Sequence, residues 1–182
     1  ESDICCTSSN ALEIVESIPS EQILFVPDQN LGNYVSQRTD KEIILWDGCC
    51  NTHHRVRAED VKKAREKHPN APILVHPECK AEVVKLADYV GSTAGILNYA
   101  QKTEANNLII GTEKGIIDRL KRENREMNFY LLSPRLVCPN MKKINLEKVK
   151  NSLENRETKI EISKKIREKA YSALNKMLEI TS

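Results

Sequence analysis

The sequence predicts an α/β protein made of repeated three-layer α/β/α units around small parallel sheets. Short apolar β-rich runs alternate with helical patterns along most of the 182 residues. The same order of features also recurs at a constant offset of 85 residues, which marks an internal repeat.

The alternation starts with the strand run "QILFVP", a helix over 31–37 and the strand "EIILW". A helix over 58–67 leads to "PILVH", and a helix over 80–87 to "DYVG". A helix over 93–101 precedes "NLIIGT", and one over 114–124 precedes "NFYLL". From Leu146 the chain is charged and helical. There "SKKIREKAYSALNKMLEI" sets Ile166, Ala170, Ala173, Met177 and Ile180 along one stripe behind a Ser cap. The chain has no initiator Met, and "ESDICCTSS" opens almost directly on a strand followed by a helix start. The middle of a domain looks like this, so an excised or truncated piece is expected.

In the repeat, Asp3 falls on Asp88, Thr7-Ser8 on Ser92-Thr93, Phe25-Val26 on Ile110-Gly111, and Asp28 on Glu113. Farther on, Cys50 matches Cys138 at an offset of 88, a three-residue insertion. Any two α/β segments share apolar rhythm. A hydroxyl pair, an acidic turn and a terminal cysteine agreeing in register require more than rhythm. Another equivalent cysteine is expected about 88 residues before Cys50, about 38 before Glu1.

Composition limits the partners. Twenty-eight basic and 26 acidic residues leave a net charge of +2, and the basic residues are dispersed among Glu as on solvated helix faces. With aromatics at 4%, no aromatic–basic interleaving speaks for nucleic acid. No run approaches the roughly 18 apolar residues of a membrane span, and no signal peptide is present. The six cysteines sit in a chain of cytosolic character, where buried thiols or metal ligation fit better than disulfides.

Four places could carry chemistry. "WDGCCNTHHRV" packs two cysteines and two histidines too tightly for all four to face one ion. Of its thiols only Cys50 has a repeat counterpart, Cys138 in "LVCPNM". The hydroxyl-rich turns "CTSSNA" and "GSTAG" put Thr7, Ser8, Ser92 and Thr93 at helix starts. Such residues serve either as plain N-caps or as part of an anion site. In "ILVHPECK", His76 and Glu78 lie just past a buried strand, at the end where open α/β sheets place ligands. They read either as a proton-transfer pair or as a hydrogen bond tying a loop down. Cys79 reads as a buried thiol. Zinc spacing is absent, whereas thiolates drawn from separate repeats suit an iron–sulfur cluster with one open iron.

At these residues the chain resembles the iron–sulfur quinolinate synthase (quinolinate synthetase A) family. The resemblance rests on "TSSNA", "FVPDQNL", "WDGCCNTHHRV", "HPEC", "GSTAG", "TEKG" and "CPNM", in family order over essentially the whole chain. It implies three similar α/β domains about a pseudo-threefold axis, each giving one cysteine to a [4Fe–4S] cluster whose fourth iron is open. The implied reaction condenses iminoaspartate with dihydroxyacetone phosphate to quinolinate in de novo NAD biosynthesis. Carried over by position, Cys50 and Cys138 are cluster ligands, and His53, His76 and Glu78 are catalytic. Ser8, Ser92, Thr93 and Met141 bind substrate.

On this reading residues 1–49 are the C-terminal half of the second repeat and 50–137 are the third. Residues 138–182 form the cluster-cysteine loop and helical tail. The N-terminal domain, with the third cluster cysteine, lies outside the chain, which alone is expected to be inactive. The resemblance also implies a cytoplasmic setting and a functional link to an aspartate oxidase or dehydrogenase. Two other readings remain open: a redox-sensing or regulatory iron–sulfur module of this fold, and a small anion-binding module.

Overall fold

The computed structural model describes residues 2–181. They fall into two compact units, one of residues 7–137 and one of residues 2–6 with 138–181. In the larger unit α1 (Ala11–Ser17), β1 (Gln22–Phe25), α2 (Gln29–Ser36) and β2 (Glu42–Leu45) come first. Next are α3 (Asn51–His54), α4 (Ala58–Lys67), β3 (Ile73–Val75), α5 (Ala81–Val84) and β4 (Tyr89–Val90). Then follow α6 (Thr93–Lys102), β5 (Asn107–Gly111), α7 (Ile116–Glu123) and β6 (Asn128–Leu131). All strand pairs are parallel: β1 lies beside β2, and the second sheet runs β4-β3-β5-β6.

The four-stranded sheet has the expected three layers. Strand side chains alternate between faces, and the core divides accordingly. Ile73, Val75 and Ile109 pack with Val61 of α4 and Val83 of α5. Leu74, Leu108 and Ile110 pack with Ile96 of α6 and Leu120 of α7. Being buried on both faces, these strands read as continuous apolar runs.

The repeat is visible in the hydrogen bonding. β1 paired with β2 matches β5 paired with β6, with Gln22 opposite Glu42 and Asn107 opposite Asn128. The turns match as well: Gln29 N–H donates to Gly48 O at 2.8 Å, and Lys114 N–H to Leu136 O at 2.9 Å. The two-stranded sheet is less covered. Phe25 is buried, but Leu24, Ile44 and Trp46 stand in solvent.

In the smaller unit a 3-10 turn (Met141–Lys143) precedes α8 (Leu146–Asn155) and α9 (Lys164–Thr181). The expected stripe on α9 is only partly covered. Ala173 and Met177 are buried, while Ile166 is 62% exposed and Ala170 lies open. The covered part adjoins the start of the chain, where Cys5 N–H donates to Ala173 O at 3.1 Å. The opening stretch was expected to be a strand, but the described residues 2–6 form none. A strand needs a ladder partner, and this segment bonds to a helix instead. No described helix is long and apolar enough to cross a membrane.

Gly111 shows how tightly β3 and β5 approach. A Cβ there would lie 2.6 Å from Val75 Cγ1 and 2.9 Å from Leu74 O, a backbone atom that cannot rotate away. Gly111→Ala therefore has to push β3 aside, and His76 follows β3 directly. We expect urea unfolding to show a loss of about 1–3 kcal/mol; unchanged stability would mean that the strands tolerate the extra carbon.

Candidate functional site

The site gathers at the carboxyl edge of the four-stranded sheet. His76 is the first residue after β3, and its N–H donates to Gly111 O at 3.1 Å. Pro77 follows and keeps His76 extended. The chain then turns, with Cys79 N–H donating to His76 O at 3.0 Å. This places Glu78 on the same corner as His76. Cys79 itself points inward, and burial pushes its thiol up to about 12.

Glu78 N–H donates to His76 Nδ1 at 3.3 Å. That donor leaves the ring proton on Nε2, so Nε2–H donates to Ser8 Oγ at 3.1 Å. His53 comes from the other side, on α3. Its Nδ1–H donates to Glu78 Oε2 at 2.8 Å and its Nε2–H to Thr112 Oγ1 at 2.9 Å. The two imidazoles stack with centroids 4.4 Å apart and planes 12° from parallel.

Charge is distributed unequally between them. Burial opposes the His53 cation, but hydrogen bonds to Cys50 and Glu78 outweigh it and hold His53 up at about 9. Burial pushes His76 down to about 4, and the neighbouring His53 cation adds to this. Burial would raise Glu78, yet the His53 hydrogen bond, helped by the electrostatics of the two neighbouring imidazoles, brings it below the usual carboxylate range. At neutral pH the ring stack is one imidazolium on one neutral imidazole, because a second charge there would repel the first.

Cys50 occupies the N-cap position of α3. The His53 hydrogen bond lowers its thiol against the opposing effect of burial. A ligand atom from each of Cys50, His53 and Glu78 lies within 4.8 Å of the other two, so these three side chains could hold a metal. The donor chemistry also fits an iron–sulfur centre. Cluster ligands are thiolates, and Cys50 is a half-buried thiol already biased toward its anion.

The structure thus brings Ser8, Cys50, His53, His76 and Glu78 into one network. Ser92 lies two residues beyond β4, on the same sheet edge. It caps α6, its Oγ accepting from Gly95 N–H at 3.1 Å, and Thr93 is exposed beside it. The expectation that Thr7 and Ser8 cap α1 is corrected. Asn10 stands at that N-cap without a side-chain cap bond, and Thr7 is tied to Asn10 instead. Ser8 is thereby left to meet His76. Cys138 and Met141 belong to the smaller unit, where Cys138 O accepts from Lys142 N–H at 3.2 Å and Met141 is exposed. In "WDGCCNTHHRV", His54 Nδ1 accepts from Asn30 Nδ2 at 3.0 Å, a bond between α3 and α2.

Sequence reasoning missed α3, too short and uncapped to leave a pattern, and it missed three partners. Thr112 follows β5 at the sheet edge where ligands collect, and this position was its available signal. Asp28 was visible only as an acidic turn, yet its carboxylate accepts from Cys50 N–H. Arg55 gave no signal: its guanidinium donates to Asn51 O at 2.8 Å and to Arg135 O at 3.2 Å.

Thr112 is 3% exposed, so its hydroxyl is the partner available to His53 Nε2 in place of water. Thr112→Val keeps the shape and removes that partner. Urea unfolding should register a loss of about 1–3 kcal/mol, the cost of an unsatisfied buried donor. Thr112→Ser should recover most of it, and equal stability of all three proteins would contradict the bond.

Residues 1–179 match the family model described as Quinolinate synthetase A protein. The chain is 51% identical over 181 residues to the quinolinate synthase of Alkaliphilus metalliredigens, covering 99% of this chain and 60% of that one. It is 50% identical over 182 residues to the quinolinate synthase of Caldicellulosiruptor saccharolyticus, covering 100% and 60%. A quinolinate synthase of Methanosarcina barkeri is 47% identical over 180 residues, with 99% and 59% covered. The chain therefore spans about 60% of the length of these curated relatives.

Proposed function

The chain belongs to the quinolinate synthetase A family, and from that premise we propose that it forms part of a quinolinate synthase. The complete protein would condense iminoaspartate with dihydroxyacetone phosphate, releasing two waters and phosphate. These losses balance the atoms of quinolinate without any net oxidation. The observation that carries this reading is the half-buried network of Cys50, His53, His76, Glu78 and Ser8. It sets an ionisable thiol beside acid–base groups of opposite charge preference.

Cys50 and Cys138 would hold a [4Fe–4S] cluster together with a third cysteine from outside these 182 residues. When bound, such a cluster supplies an open iron that acts as a Lewis acid. The protein groups do the rest. Ser92 and Thr93, at the start of α6, meet an anionic substrate group where the helix end is positive. Ser8 holds the substrate side of His76. His76 stays neutral, and its Nε2–H, bonded to Ser8 Oγ at 3.1 Å, would turn to a substrate oxygen that takes the place of Ser8. The Glu78 carboxylate takes up a proton from carbon and passes it to a departing oxygen, while His53, charged at rest and bonded to Glu78 at 2.8 Å, stabilises the carboxylate before and after the transfer. Six cysteines in a chain of this size suit a reducing cytoplasm, where thiolates can serve as cluster ligands. Iminoaspartate would come from an aspartate oxidase or dehydrogenase.

Two measurements test this. In the complete protein, His76→Ala and Glu78→Ala should each cut quinolinate formation by about 10²–10⁴-fold, with iron and sulfide content unchanged. Normal turnover in both variants would refute the catalytic assignment of His76 and Glu78. Reconstituted anaerobically by themselves, these 182 residues should retain no stable cluster and make no quinolinate. A full iron and sulfide complement with activity would disprove the need for a third cysteine.

A further inference from the structure

We propose that Asp28 is the positioning residue for Cys50: its carboxylate fixes the backbone that presents the thiol and so slows loss of a cluster bound there. This rests on Cys50 being a cluster ligand.

Asp28 is 6% exposed and its two oxygens have separate tasks. Oδ1 accepts from Asn30 N–H at 2.7 Å and Leu31 N–H at 3.0 Å, capping α2. Oδ2 accepts from Cys50 N–H. The next residue adds a second tie, Gln29 N–H donating to Gly48 O at 2.8 Å. The turn before α2 therefore grips the segment ending at Cys50 in two places.

Little else nearby can do this. Cys50 starts a helix of four residues with no side-chain cap bond, far too short to hold its own direction. On its other side, β2 ends at Leu45. Between these lies a loop, and Asp28 anchors its last residue. A hydrogen bond to a buried carboxylate is among the strong ones, and losing it leaves Cys50 N–H without that acceptor. The repeat makes the arrangement more than local. Glu113 stands where Asp28 stands, accepts from Gly115 N–H at 2.7 Å, and precedes a Lys114 N–H bond to Leu136 O.

The division of labour makes the test clean. Asp28→Ser keeps an N-cap of comparable quality but is too short to reach Cys50. Asp28→Asn keeps one acceptor oxygen where two are needed. Both variants are made in the complete protein, loaded anaerobically with iron and sulfide, and challenged with an iron chelator. Hydrogen exchange of the Cys50 amide is followed in the cluster-free form, and thermal unfolding checks that the fold survives. We expect iron loss accelerated about tenfold or more and faster exchange at Cys50. The Leu31 amide should stay protected in the Ser variant.

Wild-type iron retention in both variants would overturn the proposal, as would unchanged exchange at Cys50. If the unsubstituted protein takes up no cluster, the proposed function fails. The exchange of the Cys50 amide then decides the positioning role by itself.

Discussion

The candidate site depends on a buried carboxylate that serves two structural elements at once. Asp28 closes the N-terminus of α2 and holds the backbone of Cys50. A helix N-terminus leaves several N–H groups unpaired, and a loop ending in a reactive thiol needs a fixed last residue. One side chain with two acceptor oxygens meets both needs, which explains why an acid rather than a Ser or Thr occupies this turn. The position of Cys50 in turn sets the direction of α3, and α3 carries His53 across to Glu78 and Thr112.

Beyond that anchor the site is a problem of placing charge in a dry corner. Four ionisable groups meet there, and burial penalises each of them when charged. The arrangement lets three carry charge by alternating sign: Cys50 toward its thiolate, His53 as the cation between, and Glu78 as the carboxylate. His76 is the fourth and stays neutral, because its stacked neighbour has already taken the single cation the corner can hold. The backbone N–H of Glu78 reinforces this choice by occupying His76 Nδ1. Two adjacent histidines of the same residue type thus acquire different proton states from geometry alone. This is the condition for giving them different proton-transfer roles.

Much of this was legible in the residues. β3 and β5 read correctly because they are buried on both faces, and α4 matched its expected span, with acids in its first turn and bases in its last. The pairing of Cys50 with Cys138 and of Asp28 with Glu113 came from register alone. The sequence could not disclose the partners within the network. Ser8 looked like one cap among several, and its turn toward His76 depends on Asn10 taking the local bonds of Thr7. Thr112 looked like the polar end of an apolar strand. Both contacts join residues far apart in the chain, His53 and Thr112 by 59 positions. Periodicity reports only neighbours, so such bonds leave no trace in it. The stripe on α9 marked the helix but not its cover: it described an apolar face without saying what lies against it.

The repeat also supplies a comparison inside one molecule, because equivalent positions have unequal surroundings. Ile109 is fully buried beneath α4 and α5, while its equivalent Leu24 is 58% exposed. Both sit centrally in a parallel strand and both are large and apolar. The difference is the layer above them. β5 has β3 and β6 on its two edges and helices on both faces, whereas β1 has β2 on one edge. Among the described residues nothing plays for β1 the part that β3, α4 and α5 play for β5. Leu24, Ile44 and Trp46 thus have the residue types of a covered face and the exposure of an uncovered one. Strand composition therefore follows the architecture of the full repeat rather than the exposure of these residues, since a strand bare on one face would carry polar residues there.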